Sequence, residues 1–226
     1  MKIGILLSGC GVYDGAEIQE SVLAMLSVAE TGNEYECISV NKNQHHVINH
    51  LTGDVMTEER NMMVEAARIA RGNVKEISEI TPANIDALII PGGFGSAKNF
   101  SDWAFNGPDG TILPEVKLLL VNLVNAGKPI AALCVSPILI AKALEDSNIH
   151  PNLTLGNTTD KSPYEIDGFH VGVQKTGSKT EERTLKEVLI DKENKIITAP
   201  CYMMDASILE IRGNIKLAIE ELVKLA

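Results

Sequence analysis

Short, continuously apolar runs alternate with longer amphipathic segments along the whole chain. Residues 3–7, 35–40, 87–90, 129–133 and 195–198 read as strands. They are apolar throughout, not apolar at every second position. That pattern belongs to strands covered on both faces, as in a parallel sheet between two helical layers. Residues 17–31, 61–71, 114–126 and 206–225 read as helices, and another follows Cys134 through Leu144. In the first, Ile18, Ser21, Val22, Met25, Leu26 and Ala29 share one face, and Gly32 stops it. In the second, Met62, Ala66, Ile69 and Ala70 share one side. Pro114 suits the first turn of the third. Strands separated by helices imply parallel pairing and right-handed crossovers. The predicted fold is α/β, a flavodoxin-like three-layer α/β/α sandwich with a mostly parallel sheet, in one domain over residues 1–226.

Two stretches break the pattern. Residues 94–113 are rich in Gly, Asn, Asp and Pro and read as a loop beside the active site. Residues 157–187 are polar and carry no clear period, with a hairpin expected around 169–173.

Composition narrows the class. Hydrophobic residues make up 45% of the 226, enough for a native core, but aromatics are only 4%, so Ile, Leu, Val, Ala and Met must fill it. Thirty Asp and Glu against 20 Lys and Arg give a net charge of −10. No basic stripe is available for nucleic acid or an anionic membrane. No apolar run approaches the roughly 20 residues of a membrane span, and the first apolar run is too short for a signal-peptide core. Cys10, Cys37, Cys134 and Cys201 lie far apart without a CxxC pair. They read as reduced thiols of a cytoplasmic protein.

In an open α/β sheet, ligands bind outside the carboxyl ends of the strands. Three predicted strands end in unusual residues: Ser8-Gly9-Cys10-Gly11, Pro91-Gly92-Gly93, and Cys134. Cys134 follows its strand directly and stands at the start of a helix, where the partial positive charge favours thiolate over thiol. The arrangement is analogous to a nucleophile elbow, although the local sequence is not GxSxG. Position alone divides evenly between a nucleophile and an inert core cysteine. The glycines of Pro91-Gly92-Gly93 either just end the strand or let backbone N–H groups approach a ligand. In the second case the N–H groups of Gly93 and Val135 make an oxyanion hole beside the Cys134 sulfur. His45, His46 and His50 cluster upstream, but no cysteine or carboxylate set completes a metal site, so exposed or pocket-lining roles are expected.

Residues Pro91-Gly92-Gly93-Phe94-Gly95-Ser96-Ala97-Lys98-Asn99 and Ala131-Ala132-Leu133-Cys134-Val135-Ser136-Pro137 resemble the PfpI-like branch of the class I glutamine-amidotransferase-like superfamily. The stretch from Ser8 to Ile18, then Val47-Ile48-Asn49-His50, Arg60-Asn61 and Glu65 to Gly72, narrow the resemblance to the ElbB-type proteins, known as glyoxalases or enhancing lycopene biosynthesis proteins. The likeness covers residues 2–141 and 195–200, and is poor over 157–188.

The resemblance implies a nucleophilic Cys134 and a glutamate on the first helix in contact with it. Counting back from Gly32 puts that acid at Glu20, with Glu17 one turn earlier as the alternative. A glutamate held against a thiolate is expected to have a raised pKa and to serve as general acid/base. The superfamily's glutaminase triad needs a histidine downstream of the cysteine with a glutamate two positions on. His150 and His170 lack that partner, and Gly156 or Asn157 stands where relatives carry the third residue, so amide hydrolysis is not expected. The implied activity is a glutathione-independent glyoxalase, a lyase that turns glyoxal or methylglyoxal plus water into glycolate or lactate without metal or organic cofactor. The implied partners are a small aldehyde and a second copy of the chain in a homodimer. The competing expectation is a non-enzymatic, redox-sensing or regulatory protein of isoprenoid metabolism.

Overall fold

The computed structural model describes residues 1–226. Its first half runs β1 (Lys2–Leu6), α1 (Ile18–Glu30), β2 (Glu34–Ser39), α2 (Met62–Ile69), β3 (Val74–Glu76), β4 (Ala87–Ile90), α3 (Gly95–Lys98), α4 (Trp103–Asn106) and α5 (Pro114–Asn125). The second runs β5 (Ile130–Leu133), α6 (Pro137–Leu144), β6 (Asn152–Leu153), α7 (Ile166–Lys175), β7 (Lys179–Thr180), β8 (Leu189–Asp191), β9 (Ile196–Ala199) and α8 (Ile208–Leu225).

Seven strands form one sheet in the order β3-β2-β1-β4-β5-β9-β8, and β6 and β7 pair separately. All pairings in the large sheet are parallel except β8 against β9. The chain steps one way from β1 to β3 and the other way from β4 onward. Right-handed crossovers therefore place helices on both faces, and the carboxyl ends of β1 and β4 meet at a topological switch point. This is the three-layer sandwich expected from the sequence. Every residue of β4 and β5 is fully buried, which is why those strands are apolar without alternation. No helix is long and apolar enough to cross a membrane.

Three expectations are corrected. The buried side of α1 is Glu20, Ser21, Ala24, Met25, Ser27 and Val28, while Ile18, Val22 and Leu26 are 45%, 48% and 43% exposed. Small side chains face inward because α8 packs directly against α1, and the same rotation turns Glu20 toward the sheet. The hairpin expected at 169–173 is helical, within α7. Ile166, His170 and Val173 are buried at helical spacing, but Gly168 and Gly172 mask the period in the sequence. The stretch 94–113 is not all loop; it holds α3 and α4.

α8 closes the structure. Ile211, Ile215, Ala218, Ile219 and Leu222 form its buried stripe, and Ser207 and Glu210 make a reciprocal capping box at its start. Asn214 is buried in the same face. Its Oδ1 accepts from Cys201 N–H at 3.0 Å and its Nδ2 donates to Glu187 C=O at 2.8 Å. Removing that amide orphans two backbone groups at once. Asn214→Ala is expected to lower the unfolding free energy by roughly 3 kcal/mol, and Ser207→Ala by about 1 kcal/mol. Urea titration of both variants checks the order.

Candidate active site

The strand β5 ends at Leu133 and the chain turns sharply into α6. Cys134 occupies the turn with φ +58°, a left-handed conformation that a non-glycine residue adopts only when its surroundings impose it. The Cys134 N–H donates to Ala199 C=O at 2.9 Å, which ties the turn to the end of β9. Ser136 ties it to β4: its hydroxyl donates to Pro91 C=O at 2.6 Å and accepts from Ser96 Oγ at 2.8 Å. Pro137 then opens α6 without needing an N–H partner.

Glu20 lies on the first turn of α1 and is wholly buried. Its Oε2 accepts from Gly92 N–H at 2.7 Å and its Oε1 from Tyr202 N–H at 3.2 Å. The thiol of Cys134 lies beside the same carboxyl. Gly92 is where the two side chains meet. A Cβ there would lie 2.8 Å from Cys134 Sγ and 2.7 Å from Glu20 Oε2, so only glycine leaves room for the contact. Gly93, with φ +96°, is pressed against the loop before α1, and its imagined Cβ would lie 2.3 Å from Gly15 C=O. Glu17 plays a different part. Its carboxylate caps α1 by accepting from Glu20 N–H at 2.6 Å, and its side chain forms part of the pocket wall. Of the two glutamates, the structure brings Glu20 against the cysteine.

Burial pushes the Glu20 pKa up to about 7, helped by neighbouring Glu17; the N–H groups of Tyr202 and Gly92 oppose the rise. Burial also raises the Cys134 thiol well above its ordinary value. The charges of Glu20 and Cys201 add to this, and the hydrogen bond from Val135 N–H works against it. The low thiol pKa expected from the helix N-terminus is therefore reversed: desolvation and a neighbouring acid outweigh the partial charge of one short helix.

Cys134 opens onto a small, mostly apolar pocket lined also by Val12, Glu17, Gly93, Phe94, Val135, Tyr164, Phe169, Tyr202 and Met203. The N–H of Val135 points at the sulfur, and the N–H of Gly93 has no acceptor within the chain's backbone. The chain has only four Phe and four Tyr, yet Phe94, Phe169, Tyr164 and Tyr202 all line this pocket. Sequence reasoning missed the last three. Their scarcity was the available signal, but Tyr164 and Phe169 lie in the stretch without a clear period. Tyr164 is held protonated, its pKa pushed up to about 12 by burial and then by Cys134 and Glu20.

No histidine lines the pocket. His170 is buried on α7, where its ring meets Leu155 N–H; His150 lies against Gly177, and Gly156 against Met204. His45 and His46 stack on each other and on Phe105. His50 Nε2 accepts from Tyr13 N–H at 3.2 Å, so its Nδ1 carries the proton toward Ile48 C=O at 3.0 Å. Cys10 is turned away from the pocket, toward Glu65 and Arg68. Cys201 is fully buried with φ +46°, and burial, then the charge of Glu20, raises its thiol well above its ordinary value.

The raised Glu20 pKa makes stability depend on pH with a definite sign. Below about pH 4.5 the carboxyl is neutral in both folded and unfolded chains, and its contribution is fully present. Between that value and about 7 the folded chain alone keeps the proton, so stability falls as pH rises. Melting temperatures of wild type and Glu20→Gln are expected to diverge through this window, with wild type losing ground, and to run parallel above it.

No family model matches the chain. The human glutamine amidotransferase-like class 1 domain-containing protein 3, mitochondrial, is 35% identical over 228 residues, spanning 99% of this chain and 83% of that protein. The crystal structure of an isoprenoid biosynthesis protein with amidotransferase-like domain from Ehrlichia chaffeensis superposes with a TM-score of 0.89 at 34% identity, covering 100% of both chains. Drosophila melanogaster DJ-1beta superposes with a TM-score of 0.53 at 16% identity, over 100% of this chain and 95% of that one, a likeness of fold alone. The chain belongs to the glutamine amidotransferase-like class 1 family.

Proposed function

We propose that this protein is a cofactor-independent glyoxalase that converts glyoxal or methylglyoxal plus water into glycolate or lactate. The observation that carries this reading is the buried contact of Cys134 with Glu20 at Gly92, in a pocket with no histidine. Cys134 rests as a thiol, so attack on an aldehyde must be coupled to loss of its proton. Glu20, with a pKa near neutrality, is matched to take it. The sulfur bonds to the aldehyde carbon, Glu20 relays the proton to the carbonyl oxygen, and a hemithioacetal forms. The N–H groups of Gly93 and Val135 face the developing oxyanion. Glu20, again ionised, removes the proton from the sulfur-bearing carbon and returns it to the neighbouring carbon through an enediol, leaving a thioester. Water hydrolyses the thioester, releasing the 2-hydroxy acid and restoring the thiol.

The same reading treats residues 1–226 as one domain of a cytoplasmic homodimer. The apolar stripe of Ile18, Val22 and Leu26, exposed on α1, supports a self-association face. The human and rat relatives are mitochondrial by name. A second reading, a redox-responsive regulator of isoprenoid metabolism, draws on the likeness to the Ehrlichia isoprenoid biosynthesis protein and on two buried thiols, Cys134 and Cys201, near enough for the charge of one to act on the other.

Turnover of glyoxal by metal-free protein separates the two. Cys134→Ser is expected to abolish product formation with the circular dichroism unchanged, because the hydroxyl is a far weaker nucleophile. Glu20→Gln is expected to lower kcat by ~100- to ~10,000-fold. Activity retained in Cys134→Ser removes the covalent mechanism; no turnover by wild type leaves the regulatory reading.

A further inference from the structure

A second pocket adjoins the one beside Cys134. It is an open depression that shares two walls with the first, Phe94 and Tyr164, whose rings meet edge to face at 6.0 Å. Tyr13, Ile48 and Lys98 line its outer part. Lys98 is half-buried there. Its ammonium lies 5.2 Å from the centre of the Phe94 ring and donates to Tyr13 C=O at 3.0 Å, leaving further N–H groups free. Asp14 is the one carboxylate that acts on it, and an Asp14 oxygen is held by Ile48 N–H at 2.7 Å. The ammonium is thus a charge at the edge of the pocket system without an ion-pair partner, although Lys42, Lys75 and Lys117 each find one.

The inner pocket has the opposite character. Glu17 is in its wall and Glu20 lies behind the cysteine, and no Lys or Arg lines it. An anionic group is repelled there and attracted at Lys98. A single ammonium in a chain of net charge −10 suits a monoanion better than a phosphate, which needs more cationic donors. We propose that Lys98 is an anion subsite, and that the preferred substrate is a carbonyl compound bearing a carboxylate at its far end: carbonyl inward on Cys134, carboxylate outward past the Phe94–Tyr164 pair. This rests on Cys134 being the nucleophile of the proposed function and goes beyond it in naming the substrate class.

The test reads alkylation of Cys134 and needs no turnover. N-iodoacetyl derivatives of straight-chain amino acids, graded in length, are compared with their neutral methylamides, and labelling of Cys134 is followed by peptide mass spectrometry. At one tail length the carboxylate is expected to react about tenfold faster than its methylamide at low ionic strength. The advantage is expected to shrink with added salt, to vanish in Lys98→Met and to survive in Lys98→Arg. Equal rates at every length, or an advantage that persists in Lys98→Met, overturns the subsite. Failure of both probe classes to label Cys134 overturns the nucleophile as well. Selective labelling without any aldehyde turnover sinks the glyoxalase reading and leaves the subsite standing.

Discussion

The buried contact of the Cys134 thiol with the Glu20 carboxyl is the constraint on which the site depends. Beyond burial, Glu17 raises the pKa of Glu20, Glu20 raises those of Cys134 and Cys201, and Cys134 and Glu20 raise that of Tyr164; no cation lines the pocket to offset them. Each negative charge in such a cluster disfavours the next. Backbone dipoles take the place of a cation. Gly92 and Tyr202 direct N–H groups at the carboxylate, and Val135 directs one at the sulfur. The negative charge therefore rests on the carboxylate before it rests on the sulfur, and placing it on the sulfur needs the thiol proton to move to Glu20.

Those N–H groups are available because of where they lie. Gly92 follows β4, Val135 follows β5, and Tyr202 follows β9, three neighbouring strands of one parallel sheet. At the carboxyl ends of the strands the chain leaves the ladder and its amides are freed. The convergence carries local strain, since Cys134 and Cys201 are both left-handed and Gly92 tolerates no side chain. The apolar sheet offsets it: a contiguous core that includes all of β4 and β5 surrounds the strained turn and leaves it no room to relax. The first helix shows the same priority. It buries Glu20 and small residues while leaving Ile18, Val22 and Leu26 outside, because the acid and the close fit of α8 fix its rotation.

The parts of the fold that the sequence makes legible are those whose burial is symmetrical. Strands β1, β4, β5 and β9 are covered on both faces and appear as plain apolar runs, and α5 and α8 carry clear helical stripes. The edge strands β3 and β8 have three residues each, too few to set a period. α7 escaped because its glycines interrupt the stripe. In the site, Cys134, Gly93 and Val135 are readable from strand-to-turn punctuation. Glu20 is not, since a buried carboxylate breaks the rule by which buried faces are recognised; the family resemblance supplied it. The direction of the Cys134 pKa was unreadable because the helix end is visible in sequence while desolvation exists only once the chain has folded.

The missing histidine shapes what this geometry can do. In amide hydrolysis, a base takes the nucleophile's proton and must then hand one to a departing amine, a task suited to an imidazolium placed on the leaving-group side. Glu20 lies beside the sulfur and is fixed there by two backbone donors, while Glu17, the other carboxylate of the pocket, is held in the cap of α1 and no imidazole is present to serve a leaving group elsewhere. Addition to an aldehyde has no leaving group. The subsequent proton transfer between adjacent carbons takes place beside the atom that Glu20 already touches. A carboxylate with a pKa of about 7, locked against the nucleophile, suits chemistry that begins and ends at one sulfur.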